Sequence, residues 1–503
     1  MRFLVAWLSV SVVLLQAGIA IAQVGQFPFV LTREEQLLGA VQGGVASFKG
    51  IPYAAAPVGP LRWRAPQPPP ESSAIRSAYD DGPACPQSAM AGPGPLRISE
   101  DCLTLNVFRP FEFEDPLPVM VWIHGGSFVA GTASDPRFDG SKLAQAGVIV
   151  VTLNYRLGAF GWLAHPALAD GGSDGGVGNL GMTDQIAALH WIHQNIAAFG
   201  GDPNNVTLFG TSSGAASIAL LMLCEPAREL FQKAILEPLP GRDQPHAMDM
   251  AEAVGKEFFH AVESVSPGAD PRAAGADVLV AAERLLLAKP ARSFGPVKDG
   301  MLVKQDIVSG FRAGRQSRIP LIIGTNDDET AVGAEPDVNA ELGLAGDAVD
   351  ALPSGEPGAL RNPMALAARL YTDRVFTEPA RFIARSHAAT GAATFRYRFG
   401  YVPEAQRGDS DGGHGRELQF VFGVDGVPGA GLLMRRDREV GHLLRTYWSN
   451  FARTGDPNGS GLPLWDATSH RDRLLLIGNE RIASGDDPWT ERLDRLELRS
   501  PKE

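Results

Sequence analysis

The stretch from Val206 to Leu223 constrains this chain more than any other. A short strand-like run, Val206 to Phe209, leads straight into Gly210-Thr211-Ser212-Ser213-Gly214, and Ala215 to Leu223 is apolar and helix-forming. Strand, Gly-X-Ser-X-Gly, helix describes a strained turn that closes only if the residues flanking the serine lack bulk; Gly210, Gly214 and Ala215 meet that need. The turn exposes Ser212 Oγ as a candidate nucleophile. It also sets the Ser213 backbone N–H, at a helix start, where negative charge on a substrate oxygen would develop. Ser213 itself is not the candidate, because that register would need glycine at Thr211. Outside a strand-to-helix context the same pattern is only a glycine-rich turn.

Such a turn needs a sheet to stand on. Pro118 to Ile123 and Val148 to Tyr155 are nearly continuous apolar, β-branched runs, as expected of parallel strands buried on both faces. Ile186, Leu189, Ile192 and Ile196 make one helical stripe between Asp184 and Phe199, stopping at Gly200 and Gly201. This alternation predicts an α/β fold, a large, mostly parallel central sheet flanked by helices. The chain has 503 residues, 44% of them hydrophobic, enough for one large core. The Pro- and Gly-rich patches at 66–70 and 408–413 are short and followed by new apolar runs, so residues 23–503 are expected to form a single domain.

Residues 1–22 read as a secretory signal: Arg2, an apolar run from Phe3 to Leu15, then Ala20-Ile21-Ala22 before Gln23. The apolar core is short for a membrane anchor, and no later segment resembles a membrane span. A secreted or periplasmic location follows. Export permits a disulfide, and with three cysteines the obvious pair is Cys85 and Cys102; Cys224, in the apolar run Leu220 to Cys224, reads as a buried thiol. The bridge would contribute about 3 kcal/mol through loop entropy. A net charge of -12 argues against a nucleic-acid partner, which would need Lys and Arg to neutralise phosphates. His190 and His193 lie one helical turn apart without a cysteine or matched carboxylate, so a surface reading is preferred and no metal site is expected.

Acyl transfer from a serine requires further donors for the oxyanion. His124-Gly125-Gly126-Ser127-Phe128 follows the strand from Pro118, where glycines would let backbone N–H groups approach a substrate oxygen. Alone, consecutive glycines mark only a turn.

The sequence resembles the type-B carboxylesterases, the family that includes cholinesterases and bacterial para-nitrobenzyl esterases. The resemblance rests on Phe48-Lys49-Gly50-Ile51-Pro52-Tyr53-Ala54, on Glu100-Asp101-Cys102-Leu103-Thr104-Leu105-Asn106-Val107, and on the stretch from Asn179 through Gly201-Asp202-Pro203 to the serine turn. Tyr447-Trp448-Ser449-Asn450-Phe451-Ala452 and Thr454-Gly455-Asp456-Pro457-Asn458 extend it to nearly the whole mature chain. The resemblance implies an α/β-hydrolase fold, a small ester substrate and no organic cofactor. It also implies a triad completed by Glu329, in Gly324-Thr325-Asn326-Asp327-Asp328-Glu329, and by His414, in Gly413-His414-Gly415-Arg416-Glu417-Leu418. Asp327 and Asp328 remain local alternatives to Glu329. In this reading His414 is general base, Glu329 orients it, and the N–H groups of Gly125, Gly126 and Ser213 receive the oxyanion.

Several positions depart from the family pattern. Thr211 replaces an acid that usually precedes the nucleophile, Glu237-Pro238 replaces Gln-Ser, and Thr330 stands where glycine commonly follows the acid. The segment Pro86 to Asp101 has no aromatic residue for a cation-π contact with choline. A catalytically silent binding or adhesion protein on the same scaffold is the competing class. Such a protein would be expected to lack the nucleophile or the histidine, and this chain has both. The identity of the ester and the oligomeric state are not legible.

Overall fold

The computed structural model describes residues 27–88, 97–171, 178–241, 245–290, 292–330, 336–346, 362–407, 413–427, 431–468 and 472–499. The expected signal, 1–22, lies outside them.

Eleven strands form the main sheet: β1 (Ala40–Gln42), β2 (Val45–Pro52), β3 (Thr104–Pro110), β4 (Leu117–Ile123), β5 (Ile149–Leu153), β6 (Gly201–Gly210), β7 (Lys233–Leu236), β8 (Leu321–Asn326), β9 (Thr394–Phe399), β10 (Arg473–Ile477) and β11 (Ile482–Asp486). Their spatial order is β11-β10-β9-β8-β7-β6-β4-β5-β3-β2-β1. Strands β4 to β10 pair in parallel, while both edges of the sheet are antiparallel. Helices account for the parallel part, because a parallel connection must cross over a face of the sheet.

The central strands alternate their side chains between two cores. Val119, Val121, Ile123, Ile149, Val151 and Leu208 enter one. Met120, Trp122, Val150, Phe209, Ile235 and Ile322 enter the other. Both sets are apolar because both faces are covered, which is why these strands read as continuous runs rather than alternating ones. The first core is closed by Leu180–Asn195 and Ser213–Leu223, the second by Leu418–Phe422 and Arg435–Thr454. Trp122, fully buried, packs against Phe138, Phe209 and Phe422 at ring separations of 4.9 to 5.0 Å.

The strand expected over Val148 to Tyr155 ends at Leu153. Asn154 still donates its backbone N–H to Thr104 O at 3.0 Å, while its carboxamide accepts from Ala133 N at 2.8 Å and donates to Pro83 O at 3.0 Å, tying the strand end to two loops. The strand before the serine is longer than Val206 to Phe209, and the helix expected from Asp184 begins at Leu180 and closes through a 3-10 turn into Gly200 at φ 83°. Cys85 and Cys102 form the expected disulfide, and burial pushes the free Cys224 thiol up to about 11. His190 and His193 are exposed on their helix. Among the described residues no helix is long and apolar enough to cross a membrane.

Candidate active site

The site forms where the strand order reverses. Strand β4 lies between β5 and β6, and its last residue, Ile123, is paired in register with Gly210, the last residue of β6. The His124 to Phe128 loop and the serine turn therefore leave the sheet side by side, at the carboxyl-end crevice that open α/β sheets use for ligands.

Close packing sets the residue types here. A methyl on Gly214 would lie 2.0 Å from the Ile123 carbonyl oxygen, and one on Gly210 2.5 Å from the same atom. A methyl on Gly125 would lie 2.8 Å from Thr211 O and 3.0 Å from Ser212 Cβ, which puts the glycine loop directly against the serine turn. Ser212 itself takes φ 57° and ψ -127°, outside the regions an L-residue ordinarily occupies, at the head of the helix Ser213–Leu223. Its N–H donates to Pro238 O at 2.8 Å and its carbonyl accepts from Ala216 N at 3.0 Å, so both sides of the strained residue are tied down.

The backbone N–H groups of Gly125, Gly126 and Ser213 donate to no other group among the described residues. His124 anchors their loop: its ring stacks on Tyr155 at 4.5 Å and its carbonyl accepts the Tyr155 hydroxyl at 2.8 Å. Burial pushes His124 down to about 4, so the anchor is neutral.

Glu329 follows β8 and His414 lies in the loop after β9. His414 Nδ1 donates to Glu329 Oε2 at 2.7 Å. Asn326 N–H donates to the other carboxylate oxygen, and Glu329 N–H donates to Thr372 Oγ1 at 3.0 Å. Asp327 and Asp328 are turned to other partners. Asp327 pairs with Arg398, and Asp328 accepts Thr330 N–H at 2.8 Å and the Thr330 hydroxyl at 2.6 Å, which gives the threonine at that position a role. Burial would lower the His414 pKa, but the hydrogen bond and charge of Glu329, with the charge of Glu417, outweigh it and hold the imidazole above its ordinary value. Burial raises Glu329, against the pull of His414 and Asn326.

The structure thus joins Glu329 to His414 and Gly125 to the Ser212 turn. It shows no hydrogen bond between Ser212 Oγ and His414 Nε2, which is buried and unpartnered among the described residues. Catalytic hydrogen bonds of this kind often tighten only with substrate bound. Thr372, the Phe376 ring 5.0 Å from the His414 ring, and Tyr397 carry no motif of their own; Glu237, Glu417 and Trp448 lie in segments compared with the family, which do not mark their common burial.

A serine turn at the reversal of a mixed sheet, with acid and histidine after later strands, places the chain among the α/β-hydrolases. The carboxylesterase family pattern matches residues 26–348 and 357–493, and the chain belongs to that family. Para-nitrobenzyl esterase of Bacillus subtilis (strain 168) is 36% identical over 488 residues, covering 93% of this chain and 98% of that one. Fumonisin B1 esterase of Sphingopyxis macrogoltabida is 34% identical over 471 residues, covering 89% and 85%. A solved structure of PNB esterase superposes with a TM-score of 0.79 at 34% identity, covering 93% of this chain and all of that one, 100%. The chain is a carboxylic ester hydrolase.

Proposed function

We propose that ester hydrolysis proceeds through an acyl-enzyme on Ser212. The observation that carries this reading is the 2.7 Å bond from His414 Nδ1 to Glu329, which commits that nitrogen as donor and leaves Nε2 free to accept a proton. Ser212 Oγ attacks the ester carbonyl carbon as its proton passes to His414 Nε2. The N–H groups of Gly125, Gly126 and Ser213 bind the oxyanion. Collapse breaks the bond to the alcohol, which leaves with the proton from Nε2. Water then attacks the acyl carbonyl, giving its proton to Nε2; the acid departs and the proton returns to Ser212.

The substrate in this reading is a small ester, handled by one domain spanning 23–503 after removal of the signal 1–22, in a secreted or periplasmic setting. The disulfide supports an oxidising compartment.

Hydrolysis of para-nitrophenyl acetate, butyrate and octanoate by the mature chain and its Ser212→Ala variant tests the proposal. The variant is expected to lose roughly 10⁴-fold to 10⁶-fold in kcat. Comparable turnover by the variant overturns the assignment of Ser212. Inactivity of both folded proteins favours a very selective enzyme or the silent scaffold.

A further inference from the structure

Behind Glu329 lies a second, wholly buried acidic group. Glu237 and Glu417 have no exposed surface, and Glu329 is 1% exposed. Glu237 is the residue immediately after β7. Its backbone N–H donates to Gly210 O at 3.0 Å, and the next carbonyl, that of Pro238, accepts the Ser212 N–H. The Glu237-Pro238 strap therefore holds the serine turn on both sides of Thr211.

The Glu237 side chain points into the aromatic core. Trp448 Nε1, 211 residues away in sequence, donates to Glu237 Oε1 at 2.9 Å, while Oε2 is buried without a partner among the described residues. Tyr397 packs its ring edge-to-face on Trp448 at 5.5 Å and lies over Gly324 so closely that a methyl there would sit 2.1 to 2.3 Å from ring atoms. Its hydroxyl, also buried and unpartnered, is within the fields of Glu417, Glu237 and Glu329. Glu417, three residues after His414, meets no donor in hydrogen-bonding geometry among the described residues, although the Asn326 side chain favours its ionised form.

Three full negative charges in one dry volume would be prohibitively unfavourable, and His414, when protonated, lowers both Glu329 and Glu417. We propose that Glu237 is a positioning residue that shares one proton with Glu417, so that the two together set a single negative charge behind Glu329 and His414. A neutral Glu237 keeps its bond to Trp448 and can donate from Oε2, whereas an ionised one would face Glu417 with the Trp448 N–H to offset it and Oε2 unpartnered among the described residues. Burial and Glu417 push Glu237 well above the usual carboxylate range, against the Trp448 N–H. Burial and Glu329 push Glu417 up to about 7, so the two carboxyls titrate as a pair, and the Glu417 charge, when present, favours the imidazolium.

This inference rests on the Ser212, His414 and Glu329 reading. It is tested by pH profiles of kcat/KM for para-nitrophenyl butyrate with Glu237→Leu, Glu237→Gln, Glu417→Gln and the double glutamine variant, alongside Ser212→Ala. Glu237→Leu is expected to lose about tenfold or more in kcat, as removal of a hydrogen-bonded supporting group does, and Glu237→Gln to restore it with the acid limb unmoved. In Glu417→Gln the charge passes to Glu237, so the acid limb shifts less than in the double variant, where it falls by on the order of one pH unit. An acid limb lowered in Glu237→Gln, or a Glu417→Gln shift as large as the double, overturns the shared proton. Wild-type kcat and profile in Glu237→Leu overturns the positioning role; if that variant does not fold, the glutamine series decides. Retained activity in Ser212→Ala would instead refute the triad reading itself.

Discussion

Ile123 and Gly210 are register partners at the carboxyl ends of adjacent parallel strands, and the Ile123 carbonyl oxygen occupies the space that a methyl on Gly214 would need. One backbone pairing thus brings together the turn of the candidate nucleophile and the loop of candidate oxyanion donors. Their mutual position depends on sheet hydrogen bonds rather than on flexible side chains, which is the kind of rigidity that preorganised electrostatic stabilisation needs.

Gly214→Ala is expected to destabilise the fold by about 3 kcal/mol, because the new methyl meets backbone, which yields only if strand and turn separate. Denaturant unfolding measures it. An unchanged midpoint would mean the turn accommodates the methyl by a small shift.

Gly125→Ala places its methyl against Thr211 O and Ser212 Cβ, within the site rather than beneath it. The expected outcome is a fall in kcat of about a hundredfold with a much smaller change in KM, since in the proposed mechanism the displaced N–H serves the oxyanion. Steady-state kinetics on para-nitrophenyl butyrate separate the two effects. A change confined to KM would remove Gly125 from the oxyanion role.

Glu329→Gln preserves shape but removes the negative charge and sets an amide NH2 in place of one of the two carboxylate oxygens that accept from His414 and Asn326. A loss of roughly 10⁴-fold in kcat is expected. The pH profile should move as well. His414 must be neutral to act as base, so wild-type activity falls as pH drops through a histidine pKa held above 6.5; without Glu329, burial dominates and the acid limb moves to lower pH. An acid limb that stays in place would assign it to another group.

Butyrylthiocholine is expected to be a poor substrate, with kcat/KM roughly tenfold or more below that of an uncharged butyrate ester. Residues 86–101 contain no aromatic ring to hold the quaternary ammonium, although the net charge of -12 would draw cations toward the protein. Preference for the choline ester would show that another surface of the pocket recognises the cation.

Much of the site was legible because it depends on local backbone demands. A strained serine between a strand and a helix requires Gly210, Gly214 and Ala215, and those residues mark the turn wherever the rest of the chain goes. Buried parallel strands likewise announce themselves as apolar runs, with ends misplaced by a few residues, since apolar character continues past the last ladder pair, as at Tyr155. Glu329 and His414 were legible only through resemblance, since three consecutive acids differ in which one faces an imidazole 85 residues away. Strand β9, and with it Arg398, draws Asp327 aside; Thr330 occupies Asp328; Glu329 alone turns inward. The buried partnership of Glu237 with Trp448, and the placement of Tyr397 and Glu417 beside it, left no mark in local pattern. Composition and periodicity record which residues must avoid water, whereas the pairing of buried polar groups is settled by long-range packing that brings distant segments into one dry volume.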